Sequence, residues 1–140
     1  MRSVKIGFVG YSGRPFDKDK AREIISNIFD EIRNLYKGNV EIVTGATNLG
    51  IPALVYEEAV KQGYPTTGIM CKEGYTCELF PCDKIFAIGE NWGDESETFI
   101  HYIDILYRIG GGKQSLDEVE KAKSLGKVVT EFELEELKSE

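Results

Sequence analysis

An α/β fold, a three-layer sandwich with helices on both faces of a mainly parallel sheet, is what this sequence predicts, and three features predict it. Short β-rich apolar runs alternate with helix-periodic segments along the chain. Glycine-bearing turns follow four of those runs. No linker or shift in composition divides the 140 residues, so 1–140 reads as one domain, with 131–140 as an acidic tail.

The elements follow in order. Val4–Gly10 is a buried first strand, and Asp17 is placed to cap the helix that comes next. In that helix Ala21, Ile24, Ile25, Ile28, Phe29, Ile32, Leu35 and Tyr36 recur at three- and four-residue steps, and Gly38 is its stop. Val40–Thr44 is a second strand. Pro52 then sits where a first helical residue would, Ala53, Leu54, Ala59 and Val60 form the buried side, and Gly63 ends the helix. Thr66–Met70 is a third strand, and 71–82 carries no useful periodicity. Two segments echo each other, Asp83 to Gly89 and Asp104 to Gly110, each an aspartate, an apolar run and a glycine. The echo predicts two neighbouring parallel strands. A short helix over Glu95–Tyr102 lies between them. Leu116, Val119, Ala122 and Leu125 mark a further helix closed by Gly126, and 127–130 is a last strand. The tail from Glu131 is expected to form a short helix with Phe132, Leu134 and Leu137 docking back.

Right-handed crossovers bring the C-terminal turns of parallel strands to one edge of the sheet, where ligands of such folds bind. Four turns should meet there, at 10–13, 45–50, 89–93 and 110–112. The last matters most. Gly110-Gly111-Gly112-Lys113-Gln114-Ser115 runs from a strand into a helix, where unpaired amides carry the positive end of the helix dipole and glycines leave the backbone open. Such a place suits phosphate or another anion.

The formal net charge is −7, and the last ten residues, with five glutamates against one lysine, hold −4 of it. A nearly neutral body with an acidic tail argues against duplex nucleic acid as a partner, though not against a small anionic ligand. No window approaches bilayer-spanning length and no signal peptide is visible, so no membrane partner and a cytoplasmic location are expected. Cys71, Cys77 and Cys82 are odd in number, wrongly spaced for zinc, and far from the only histidine, His101. Reduced thiols, no metal and no cofactor are expected.

The stretch 110–118 is similar to the hallmark of the Lonely Guy family, once labelled lysine decarboxylases, which is Pro-Gly-Gly-x-Gly-Thr-x-x-Glu after a strand. Gly111, Gly112, Ser115 and Glu118 match it; Gly110 replaces the proline and Gln114 the third glycine. Gly10-Tyr11-Ser12-Gly13 and the turn Thr44–Ala53 resemble the family's first two turns, so the likeness spans roughly 4–130. The wider superfamily includes molybdenum-cofactor carrier proteins and the core of DNA-processing protein A. The resemblance implies a Rossmann-like nucleotide-binding domain that pairs into a homodimer or larger assembly. It places a phosphate on Gly111, Gly112 and Ser115, with the turns bearing Gly10, Ser12, Gly13, Gly45, Thr47 and Gly50 around the ligand; Arg14, next to the first turn, is a further candidate to reach the phosphate. In the enzymatic branch it implies hydrolysis of a nucleoside 5′-monophosphate to free base, with Glu118 catalytic, at the ribose or the attacking water. That branch carries an arginine on the helix before the hallmark strand, and here that helix, 95–102, has none. A binder or carrier of a nucleotide-like phosphate ligand is therefore preferred, and the phosphoribohydrolase is the alternative.

Structural readings stand beside these. Ser115 and Glu118 also fit a capping box, with Ser115 as N-cap. The glycines at 10, 13, 45 and 50 serve equally as turn formers, Ser12 and Thr47 as residues bonded to their own turns, and Arg14 as a solvated charge. Trp92 is either a surface for a base to stack on or a lid over the core, and His101 reads as structural.

Overall fold

Six strands form one sheet in the computed structural model, which describes residues 3–137. The strands are β1 (Val4–Gly10), β2 (Val40–Thr44), β3 (Thr66–Met70), β4 (Lys84–Ala87), β5 (Ile105–Ile109) and β6 (Val128–Phe132), in the order β4-β3-β2-β1-β5-β6. Every pairing is parallel. The α-helices are α1 (Lys18–Tyr36), α2 (Gly50–Gln62), α3 (Ser96–Tyr102) and α4 (Lys113–Ser124), with a 3₁₀ turn at Lys72–Thr76. This is the α/β Rossmann-like sandwich, with the order reversing at β1, where β2 lies on one side and β5 on the other. In open sheets of this kind the crevice forms outside the strand ends at that reversal.

Two apolar layers hold the sheet. On the α1–α2 side, Phe8 stacks on Phe29 at 5.8 Å and on Tyr107 at 5.4 Å, within a cluster that includes Ile25, Ile28, Ile32 and Val55. On the α3–α4 side, Val9, Val43 and Leu106 pack under Phe99, Ile100, Ile103 and Val119. Gly7 belongs to this second layer because α3 sits so close: a Cβ there would lie 2.7 Å from the Ile103 side chain.

Local chemistry explains the helix boundaries. Asp17 accepts a hydrogen bond from the Lys20 amide at 3.1 Å and starts α1, whose exit turns on Lys37 at φ 57° rather than on Gly38 itself. Pro52 is the third residue of α2, not the first, and Gly63 closes that helix in the left-handed conformation.

Three expectations are corrected. The echoing segments do not become neighbours: β4 is an edge strand, and β3, β2 and β1 separate it from β5. Local likeness carries no information about which strands pair across the sheet. Ser115 is not an N-cap, because extended Gly112 starts α4, leaving Ser115 third in the helix and Glu118 sixth. A capping box needs the serine outside the helix. The segment after Thr130 is not helical over its described part. Glu131 and Phe132 finish β6, Leu134 is buried, Leu137 is exposed, and Glu136 bridges to Phe16; 138–140 lie outside the described residues. Alternating Glu131 and Glu133 suit an extended strand, with both carboxylates turned to one partner, Arg108.

Candidate ligand-binding site

The loops after β1, β2, β4 and β5 converge on one cavity of about 620 Å³ at the C-terminal edge of the sheet. That volume suits a ligand of nucleotide size. The β1–α1 loop contributes Gly10 to Arg14, and the β2–α2 loop contributes Gly45, Ala46 and Thr47. Trp92 and Glu95 come from the loop after β4. Gly112, Lys113, Gln114, Ser115 and Glu118 come from the start of α4. Eight of the expected site residues thus line one wall system: Gly10, Ser12, Gly13, Arg14, Gly45, Thr47, Gly112 and Ser115, together with Glu118.

Gly50 and Gly111 do not line it. They shape the turns behind it. Gly50 has φ 57°, and a Cβ there would lie 2.2 Å from the Tyr11 carbonyl oxygen, next to the Ile51 amide that donates to the same oxygen at 2.7 Å. Gly111 has φ 100°, and a Cβ would lie 2.4 Å from Ser115 Oγ. Both positions exclude a side chain by backbone conformation and by space.

The start of α4 forms one polar end of the cavity. No side chain caps it, and the first intrahelical bond runs from the Leu116 amide to the Gly112 carbonyl at 3.2 Å. The amides of Lys113, Gln114 and Ser115 therefore precede the helical ladder. Gln114, at the position where the hallmark has a glycine, donates through Nε2 to Ser96 Oγ at 3.3 Å and ties α4 to α3.

The same serine donates to the Glu118 carboxylate. Glu118 is only 9% exposed, and burial pushes its carboxyl up to about 7. The Ser96 bond works against that rise, and the charges of Glu95 and Asp117 add to it. Glu95 is equally buried and accepts from the Gly93 amide at 3.1 Å. Sequence reasoning assigned Glu95 only to the start of a helix. The available signal was its place at the head of the segment where the resemblance expects an arginine.

The basic groups divide by location. Arg14 is largely exposed and pairs with Glu136 at 3.0 Å, and Lys113 pairs with Asp117 at 2.8 Å. Arg108 is buried away from the cavity. Its fork bonds Glu131 at 2.8 Å, Glu133, and the Gly110 carbonyl at 2.9 Å, so it holds the turn that leads into α4. Trp92, half exposed, stands at the cavity wall. His101 is exposed, 3.8 Å from Glu97, and outside the cavity. Asp83 and Asp104 accept from the amides of Thr66 and Lys5, both at 2.9 Å, at the opposite end of the strands. Cys71 is buried, and Cys77 and Cys82 are half-buried, all as free thiols. Among the described residues no helix is long and apolar enough to cross a membrane.

No protein-family model matches the sequence, and no curated protein matches it. Solved structures do. The structural-genomics structure of TM1055 superposes with a TM-score of 0.74 at 24% identity, covering 90% of this chain and 72% of that one. The molybdenum cofactor carrier protein of Chlamydomonas reinhardtii gives 0.74 at 19% identity, over 93% of this chain and 76% of its own. The molybdenum cofactor binding protein of Rippkaea orientalis gives 0.74 at 22%, over 94% and 77%. At these identities the likeness establishes the fold, and it is the fold that the resemblance in the sequence implied.

Proposed function

We propose that this protein binds a nucleotide-like phosphate ligand in the cavity at the β1–β5 reversal and acts as its carrier or sensor. The observation that carries this reading is the uncapped start of α4 opening into a cavity to which the loops after four strands contribute. Amides ahead of the helical ladder, a glycine-bearing loop on the β1 side, and Arg14 at the rim supply an anion seat without a dedicated buried cation. The molybdenum cofactor carriers that share the fold lend support by analogy of architecture.

A second reading has one observation of its own. Glu118, its carboxyl pushed up to about 7 by burial, is suited to general acid–base work, and two carboxyls on one cavity, here Glu118 and Glu95, are what cleavage of a glycosidic bond uses. In the alternative, a nucleoside 5′-monophosphate phosphoribohydrolase, Glu118 would protonate the departing base and Glu95 would stabilise the cationic sugar. Against it, α3 carries no arginine to accompany the phosphate.

One screen tests both. Nucleoside monophosphates, dinucleotides and cyclic nucleotides are assayed for thermal stabilisation and for quenching of Trp92, the only tryptophan, while free base is followed by chromatography. Stabilisation without base supports the carrier or sensor. Base release abolished by Glu118→Gln supports the hydrolase. Stabilisation by none of these compounds refutes both. Homodimer formation belongs to the same proposal, and a monomeric mass by light scattering at micromolar concentration would remove it.

A further inference from the structure

We propose that Trp92 is the stacking surface for a flat heteroaromatic ring carried by the ligand, and that Asp94 is the positioning residue that sets it. The inference rests on the phosphate-ligand reading above and adds to it the chemical class of the group held away from the phosphate.

Trp92 belongs to neither apolar layer of the fold and is 52% exposed. A lid over the core would be packed into one of those layers. What remains is an indole on the wall of the cavity. Among the described residues no hydrogen bond, ring contact or cation engages its side chain. Other rings near the ligand edge are paired: Tyr11 lies 6.1 Å from Phe16, and Tyr56 lies 4.9 Å from Phe80. An unpaired indole in water adds little to the stability of the fold and keeps a π face free for a ligand.

The route of the chain brings that face to the cavity. β4 is an edge strand, whereas α3 packs on β1, where the Ile103 side chain meets Gly7. The loop 88–95 therefore crosses three inter-strand spacings, roughly 14 Å, along the ligand edge of the sheet. Trp92 stands near the middle of the crossing, on a turn fixed by its own bonds. The Asp94 carboxylate accepts from the Glu90 amide at 3.0 Å and the Asn91 amide at 2.9 Å. The Asp94 amide donates to the Asn91 carbonyl at 3.0 Å, and the Gly93 amide donates to Glu95 at 3.1 Å. Gly89, at φ 75°, makes room for Asp94, since a Cβ there would lie 2.3 Å from the Asp94 Cβ. A ring that settles on a side chain displayed this way loses little to ordering the loop.

The cavity wall divides the ligand into two ends. The start of α4 offers amides to an anion, while Val9, Ile69, Met70 and Phe99 offer apolar surface. Ser96 follows Trp92 by four residues and meets Gln114 at the start of α4 at 3.3 Å. Four residues reach at most about 14 Å, and the turns at 91–94 and 93–96 shorten that to a span one mononucleotide bridges. Stacking of a base on an aromatic side chain contributes about 1–3 kcal/mol and tolerates any base, so Trp92 selects a class of ring rather than one base.

The experiment is calorimetric titration of ribose 5-phosphate and adenosine 5′-monophosphate, with the emission of Trp92, the only tryptophan, followed in parallel. The wild type should bind the nucleotide about tenfold more tightly than the sugar phosphate, and only the nucleotide should quench the indole. Trp92→Leu should bring that ratio within about threefold at unchanged sugar-phosphate affinity, while Trp92→Tyr, which keeps a ring, retains most of it. Asp94→Ala should lower the ratio, and Asp94→Asn, which keeps an accepting oxygen, should hold it near the wild-type value. A wild-type ratio clearly below tenfold, absence of quenching, or a ratio undiminished in Trp92→Leu overturns the stacking surface while the phosphate seat stands. An undiminished ratio in Asp94→Ala overturns the positioning role. Failure of both compounds to bind the wild type overturns the seat and the surface together. If Asp94→Ala does not fold, as shown by loss of near-UV circular dichroism, the variants at the exposed residue 92 still decide.

Discussion

Replacing Glu118 by glutamine should stabilise the ligand-free protein, and increasingly so with pH. The folded state pushes this carboxyl from 4.5 up to about 7, so it holds its proton more tightly than the unfolded chain does. A carboxyl raised in this way contributes stability that is fully present below about 4.5 and lost as pH rises through 7. The full loss is about 3 kcal/mol. Roughly 2 kcal/mol of it falls between pH 5.5 and 8.5, a range that stays clear of the sequence pI near 4.9. Glutamine keeps an acceptor for Ser96 but has no proton to lose, so the difference between the two proteins isolates this group from every other titration. In thermal denaturation the Tm advantage of the variant should grow by about 7 °C from pH 5.5 to 8.5. Parallel Tm curves for the two proteins across that range would refute the reasoning, because they would show that Glu118 titrates alike in both states.

Other outcomes follow from the same geometry. Ser96→Ala removes the one hydrogen bond that lowers the Glu118 pKa, so carboxyl titration followed by NMR should move further up; a downward move would contradict the assignment. Arg108→Met leaves the Gly110 carbonyl without its donor and Glu131 with Lys123 alone, and should cost about 2 kcal/mol in urea denaturation, with loss of phosphate affinity as the turn into α4 loosens. Gly111→Ala forces a side chain onto φ 100° and against Ser115, and should destabilise by about 1–3 kcal/mol even though residue 111 does not touch the cavity. Arg14→Gln should weaken phosphate binding less than about tenfold and flatten its salt dependence, because its charge is exposed and already shared with Glu136.

Most of the architecture was legible because it is written locally. The three- and four-residue apolar rhythm of α1, the Asp17 cap and the Gly63 stop are decided by residues within a few positions of each other. The glycine turns were legible for the same reason, and β-α alternation then fixed the edge on which they meet. What escaped was decided across the chain. Nothing in Asp83–Gly89 and Asp104–Gly110 says that three strands come between them. A lone glutamate at 95 has no periodic signal, and only the packing of α3 on α4 brings it to Glu118. Even the capping box failed by a few residues, because a glycine in extended geometry at 112 competed with a hydroxyl at 115 for the helix start.

The acidic end of the chain acquires a use that its composition did not suggest. Glu136 grips Arg14, the Leu137 amide donates to the Pro15 carbonyl at 2.9 Å, and Leu134 is seated in the core, so the closing residues fasten the loop that walls the cavity from the β1 side. A handle or fusion joined directly after Leu137 would tug on that fastening, and shortening the chain to Phe132 would unbuckle it. Purification tags therefore belong at the other terminus, whose strand enters the sheet at the edge remote from the ligand loops.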